Sequence, residues 1–277
     1  MKPRALLFDL FGDHLRNMGG EAPLQALYEL LDVFDVGEST ARVALSRMRK
    51  EGWFTTRREG RSTVYALTDK AWRTLDEGRE RIFKLPRDPW DGVWSMVIYG
   101  VVEPERAERE RVRKTLAWLG FGSFAPATWV SPHDRLAKVE RSLDDTSARL
   151  DLLTCRLRGV GADQEMAARC WNLTGLACDY SAFIDRLLAY PPTVKLSKLP
   201  GRDALKLRVK LVNSYRSFPF RDPDLPEQLL PSDWPGWRAQ ELFVKAHDAL
   251  AARADAYVRS VLAGANALRR SPEESLT

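Results

Sequence analysis

Cysteine is scarce in this 277-residue chain: Cys155, Cys170 and Cys178 are an odd number with no Cys-x-x-Cys spacing. That excludes a disulfide framework and paired-thiol zinc sites, and it predicts reduced thiols that pack as small hydrophobes. Histidine is equally sparse. His14, His133 and His247 are far apart, and none opens a His-x-x-x-His or His-Glu-x-x-His motif, so the metalloprotease pattern is missing. No apolar run approaches the roughly 20 residues of a membrane helix. Met1-Lys2-Pro3-Arg4 is not followed by a signal-type apolar core, and the expected location is cytoplasmic, with no membrane partner. Gly159-Val160-Gly161 lacks the rest of a phosphate-binding glycine fingerprint and reads as a turn. Internal repeats and low-complexity tracts are absent as well.

What is present is ordinary in amount and uneven in placement. The length suits two or three domains with a sizeable core. A net charge of +5 permits a nucleic-acid partner without requiring one, so the position of the basic residues decides. They concentrate between Val36 and Thr68. There Ala41, Ala44, Leu45 and Met48 form a core-facing helical stripe. The opposite face carries Ser39, Val43, Ser46 and Lys50, flanked by Thr40, Arg42 and Arg47. Gly52 is placed to end this helix, while Ser39, Gly37 or Asp35 can begin it. From Trp53 the period changes. Trp53–Arg58 and Thr63–Thr68 are rich in aromatic and β-branched residues around Glu59-Gly60-Arg61-Ser62, a hairpin pattern. A helix followed by a hairpin tipped with Arg57, Arg58 and Arg61 describes a winged helix-turn-helix, its recognition helix suited to a DNA major groove and its wing to phosphates.

Around this stretch, Ala5–Arg16 and the leucines after Pro23 read as two further helices, and Asp69–Phe83 as a trailing one. Lys84–Pro89, with two prolines, reads as a linker. Trp94–Val102 reads as a buried strand, Pro104–Leu119 as a helix with a solvated charged side, Phe124–Val130 as a second strand, His133–Leu143 as a helix and Leu150–Leu157 as a third strand. That order is ferredoxin-like. Beyond it, Met166–Tyr190, Ala204–Tyr215 and Ala239–Leu262 read as helices. The proline-dense Phe218–Gly236 between the last two is long for a loop, so it is either functional or pinned by its aromatics. Ser271–Thr277 reads as a polar tail. The expected fold is α+β: a winged helix-turn-helix with trailing helix over 1–85, a ferredoxin-like domain over 86–160 and a helical domain over 161–277.

Four stretches carry a family resemblance: Phe11-Gly12-Asp13-His14-Leu15-Arg16 with Gly19-Gly20; Ala41-Arg42-Val43-Ala44-Leu45-Ser46-Arg47-Met48 with Lys50-Glu51-Gly52-Trp53; Leu119-Gly120-Phe121-Gly122 with Trp129-Val130-Ser131-Pro132-His133-Asp134; and the run from Asp222-Pro223 through Leu229-Leu230-Pro231 to Trp234-Pro235-Gly236. In this order, over nearly the whole length, the chain resembles the PaaX-type transcriptional repressors of phenylacetate and related aromatic-acid catabolism. The resemblance implies a homodimer that occupies a palindromic promoter operator and lets go when an acyl-CoA thioester, such as phenylacetyl-CoA, binds away from the DNA. It implies dimerisation through the middle and C-terminal domains, and neither cofactor nor catalysis. An effector pocket must offer an apolar cavity and cations for phosphates. Trp171, Tyr180, Tyr215 and Trp234, with Arg16, Arg135 and Arg216, are its candidates.

The middle segment also resembles the small metal-dependent nucleases of CRISPR adaptation. Those place an aspartate after the tyrosine that ends the first strand, where it holds a divalent metal. Here the pair is Tyr99-Gly100. Glycine offers no ligand, which disfavours cleavage chemistry.

Overall fold

Proline and glycine punctuate the chain. In the computed structural model, residues 1–60, 62–83, 89–100 and 106–270 are described, with backbone alone for Val160 and 268–270. The elements begin with α1 (Pro3–Asp13), a 3-10 turn (Leu15–Met18), β1 (Glu21–Pro23), α2 (Leu24–Asp32), α3 (Glu38–Lys50), β2 (Phe54–Glu59), β3 (Ser62–Leu67) and α4 (Asp69–Ile82). Next come β4 (Trp94–Gly100), α5 (Arg106–Trp118), β5 (Gly122–Ala125), β6 (Thr128–Ser131), α6 (Leu136–Ser142) and β7 (Arg149–Cys155). Helices complete the chain: α7 (Val160–Cys170), α8 (Leu173–Leu188), α9 (Thr193–Leu196), α10 (Gly201–Tyr215), α11 (Phe218–Arg221) and, after a 3-10 turn at Glu227–Leu229, α12 (Gly236–Arg270). Residues 84–88 of the expected linker, the start at Pro104 of the expected helix to Leu119, and the tail at 271–277 lie outside the described residues. The chain divides into two compact units. The first is Met1–Lys84 with Phe183–Ser217 and Arg238–Thr277, and the second is Leu85–Ala182 with Phe218–Trp237.

In the first unit, α1 buries Leu6, Leu7, Leu10 and Phe11 completely or nearly so. Each such side chain contributes roughly 1.5–3 kcal/mol of burial free energy. α1 lies against α2 and α3, which bury Leu27, Leu30 and Leu31 and, on α3, Ala41, Leu45 and Met48, members of the stripe that the helical period marks. Phe11 also meets Phe54 of β2 with ring centroids 4.8 Å apart. Gly37 is the residue that starts α3, while Ser39 falls inside its first turn. Its other end is a Schellman closure. Gly52 takes φ 78°, Trp53 N–H reaches Met48 C=O at 2.9 Å and Gly52 N–H reaches Arg49 C=O at 3.0 Å. The hairpin pairs Glu59 with Ser62, and β1 adds a third antiparallel strand against β3. Pro23 ends that strand and caps α2.

Gly20 is a position no other residue fits well. Its φ is 71°, and a Cβ there would lie 2.3 Å from Cζ2 of Trp72. Gly20→Ala should therefore destabilise the fold by about 1–3 kcal/mol, through overpacking and left-handed strain together. Urea unfolding checks this, and an unchanged midpoint would refute the close approach.

The second unit is built on a four-stranded antiparallel sheet, order β5-β6-β4-β7. Val97, Tyr99 and Trp129 face Val112 and Leu116 of α5 and Val139 of α6 in its core. Where the sequence suggests one strand over Phe124–Val130 there are two. Pro126 has no amide hydrogen to give a ladder, and Ala127 takes φ 57°, so the chain reverses between β5 and β6. The single helix expected over Met166–Tyr190 is likewise two. Trp171 is extended, and the Asn172 side-chain oxygen accepts from Gly175 N–H at 3.0 Å, capping α8. The proline-dense segment is pinned by its aromatics. Phe218 stacks on Tyr180 at 4.2 Å, Trp234 meets Tyr180 edge-on at 5.8 Å, and Tyr180 donates to Asp222 at 2.8 Å. Among the described residues, no helix is long and apolar enough to cross a membrane.

Candidate nucleic-acid interface

One side of α3 is buried and the other is bare. Ser39, Thr40, Arg42, Val43, Arg47 and Lys50 are exposed and Ser46 is half-buried. Val43 is 70% exposed, an unusual position for a β-branched apolar residue on a helix that otherwise sorts its faces. Glu38 sits in the first turn, with Arg47, Arg49 and Lys50 in the last, so the charges complement the helix dipole. Arg49 is also exposed. Sequence reasoning passed over it because it lies between the two faces counted.

The arginines differ in how they are held. Arg42 Nε–H donates to the Tyr28 hydroxyl of α2 at 3.1 Å. Arg47 Nε–H donates to Glu51 at 3.0 Å, which also accepts from Arg4 and from the Trp53 indole at 3.2 Å. The Arg4 hydrogen bond, ahead of those from Arg47 and Trp53, outweighs desolvation and holds the Glu51 carboxyl below its usual range. Arg57 on β2 is gripped in a fork by Glu21, at 2.6 and 2.7 Å, and its Nε–H reaches Glu59 at 2.7 Å. To meet a phosphate, Arg57 must exchange these partners. Arg58 is exposed; Arg61 lies outside the described residues.

The seven effector candidates belong to both units. In the first, Arg16 pairs with Asp76 and lies 5.6 Å over the Trp72 ring, Arg216 pairs with Asp9 at 3.0 Å, and Tyr215 stacks on Phe243 at 4.1 Å. In the second, Arg135 donates to the Leu119 carbonyl, Trp171 stacks on Trp94 at 6.3 Å, and Tyr180 and Trp234 form the aromatic pin, their rings in direct contact with one another.

A polar cluster that sequence reasoning missed lies in the first unit. Asp13 of α1 is buried and accepts from His247 Nε2–H at 2.9 Å and Arg208 Nη2–H at 3.1 Å. The neighbouring His14 is fully buried and donates through Nδ1 to Asp255 at 2.7 Å. Asp9, also buried, accepts from Asn213 at 3.1 Å. Burial alone would raise the Asp13 carboxyl. The His247 hydrogen bond and the charges of His14, His247 and Arg208 together outweigh burial, holding it well below the carboxylate range. Asp9 goes the other way: desolvation pushes it up to about 6 against the pull of Arg216 and Asn213. His14 and His247, remote in sequence, thus converge. Among the described residues, no group of three or more His, Cys, Asp or Glu side chains is arranged to hold a metal.

Known proteins resemble the chain along its length. Residues 2–71 match the family described as PaaX-like protein, residues 87–167 the PaaX protein central Cas2-like domain, and residues 171–260 the PaaX-like protein C-terminal domain. The transcriptional repressor PaaX of Escherichia coli (strain K12) is 32% identical over 261 residues, covering 92% of this chain and 82% of that protein. The chain belongs to the PaaX family. A solved structure, the uncharacterised protein Rv0674 from Mycobacterium tuberculosis, is 23% identical to this PaaX-family chain with a TM-score of 0.66, over 92% of this chain and 98% of that one. That likeness concerns the fold alone.

Proposed function

We propose that this PaaX-family protein is a cytoplasmic, dimeric transcriptional repressor, released from its operator by an acyl-CoA thioester such as phenylacetyl-CoA. The observation that carries the reading is the bare face of α3, where Ser39, Thr40, Arg42, Val43, Arg47 and Lys50 stand exposed opposite a buried stripe. In this reading residues 1–85 are a winged helix-turn-helix. α3 enters the major groove, with Ser46 at the edge of its reading face, and β2–β3, with Arg57, Arg58 and Arg61, tracks the backbone. Residues 86–160 form a ferredoxin-like domain, a topology supported by the antiparallel order β5-β6-β4-β7. They share dimerisation with the helical segment 161–277. The candidates for effector contact are Arg16, Tyr215 and Arg216 in the first unit and Arg135, Trp171, Tyr180 and Trp234 in the second, each unit taken by itself. A two-fold dimer reads a palindrome with half-site centres about 10 bp apart, or multiples of that.

The nuclease reading is the weaker one. Gly100 ends β4 with open space where a side chain would project, and the relative named above is a transcriptional repressor. No catalysis is assigned.

The test is a titration of promoter DNA with purified protein, with and without a panel of acyl-CoA thioesters, alongside light scattering. The effector should lower operator affinity by roughly 5- to 150-fold, and the operator should weaken effector binding by the same factor. A monomer on DNA would contradict the dimer. Identical thioester affinity for free and DNA-bound protein would exclude release by that compound.

A further inference from the structure

The arginines of the candidate interface separate by what anchors them. Arg47 through Nε, and Arg57 through all three guanidinium nitrogens, are tied to carboxylates. Arg42 is tied to a phenol. Its Nε–H donates to the Tyr28 hydroxyl at 3.1 Å. Tyr28, on α2, is only 6% exposed, and its hydroxyl reaches Arg42 on the α3 face. An exposed arginine is costly to use as a reader, since ordering it removes much of its rotamer freedom. A buried phenol that holds the inner Nε–H reduces that cost and adds no negative charge beyond that of Glu38, one turn earlier on α3. The outer Nη edge then keeps the paired donors that match the O6 and N7 acceptors of guanine. A carboxylate anchor, as on Arg47, fixes the side chain equally well but neutralises it.

Resting on the DNA-reading function proposed above, we infer that Tyr28 is a positioning residue for Arg42, and that Arg42, so held, discriminates one base pair of each half-site. Tyr28 itself touches no base. Its role is to set the plane in which the guanidinium meets one guanine of each half-site.

The experiment begins by selecting duplexes from a random library with the full-length wild-type chain. Affinities are then measured for the selected site and for its single base-pair variants. Tyr28→Phe keeps the ring and removes only the hydroxyl. It should reduce discrimination at one G·C pair per half-site by about 2- to 10-fold, the range of one hydrogen bond. Discrimination at other positions and the urea midpoint should stay unchanged. In an Arg42→Ala background, Tyr28→Phe should change nothing further, because the path through Arg42 is already cut. If wild type selects a site and Tyr28→Phe discriminates as well as wild type does, the positioning role is overturned and DNA reading stands. A uniform loss over all sequences, or an effect that persists without Arg42, marks Tyr28 as structural and also overturns the role. A wild-type chain that selects no sequence overturns both this inference and the function beneath it.

Discussion

Asp13→Ala should be among the most destabilising single substitutions in this protein, lowering stability by about 3–5 kcal/mol, the cost of removing one partner of a buried ion pair. The Asp13 carboxylate is what Arg208 and His247 share. Arg208 Nε lies 2.9 Å from it, and His247 Nε2 donates to both its oxygens, at 2.9 and 3.1 Å. Without the carboxylate, Arg208 is left buried beside the more distant Asp255, at 3.4 Å. Asp13→Asn keeps the shape and one acceptor, so it should lose less than alanine does. Urea unfolding of the three proteins at neutral pH is the check. A loss under about 1 kcal/mol for alanine would mean that water replaces the carboxylate and that the cluster is not sealed.

The same cluster makes two opposite contributions to pH dependence. The Asp13 carboxyl is depressed in the folded chain, so its stabilisation is present above the unfolded value near 3.8 and is lost as the pH falls towards the folded value. Asp9 is raised to about 6. Its contribution is full below 3.8 and is lost as the pH rises through about 6. Part of that rise comes from the negative charge of Asp13, so Asp13→Asn should weaken both trends in the same titration.

The period of the α3 stripe, Gly52 at its end and the β2–β3 pattern are local signals, and local signals survive in a sequence. The places where reading failed are those decided at a distance or by a single residue. Pro126-Ala127 lacks the Asn-Gly or Asp-Gly signature of a tight hairpin, so two strands read as one. Asn172 caps α8 within an apolar period that continues across the break. A three-residue strand such as β1 is too short to show any period, yet it carries the Glu21 that grips Arg57 across 36 residues. The Asp13 cluster was invisible for a similar reason. Arg208 and His247 lie 195 and 234 positions from Asp13, and each ionisable residue, taken alone on an amphipathic helix, reads as part of a wet face. For the candidate interface, helical spacing told which residues stand on the face. It could not reveal the partners Tyr28, Glu51 and Glu21, which separate an arginine held by a neutral hydroxyl from those paired with carboxylates.

The double variant Arg42→Ala/Arg47→Ala should lose operator affinity by about 30-fold or more, since a bidentate arginine–guanine pair contributes about 1–3 kcal/mol of discrimination. Loss at both positions removes sequence reading along with two charges. Its fold should be little affected, because both side chains are exposed and Glu51 retains Arg4 and Trp53 as partners. Affinity for unrelated duplexes should fall much less. Arg57→Ala and Arg58→Ala should show the contrasting pattern, weakening all sequences alike and reducing the salt dependence by about one counterion for each phosphate no longer neutralised. The Arg57 effect should be the smaller, since that side chain must first leave Glu21 and Glu59. Fluorescence anisotropy over a salt series on operator and scrambled DNA measures all of these together. Operator affinity equal to that of wild type in the double variant would remove α3 as the reading helix. A loss identical on both DNAs would leave Arg42 and Arg47 as phosphate-binding residues with no part in reading bases.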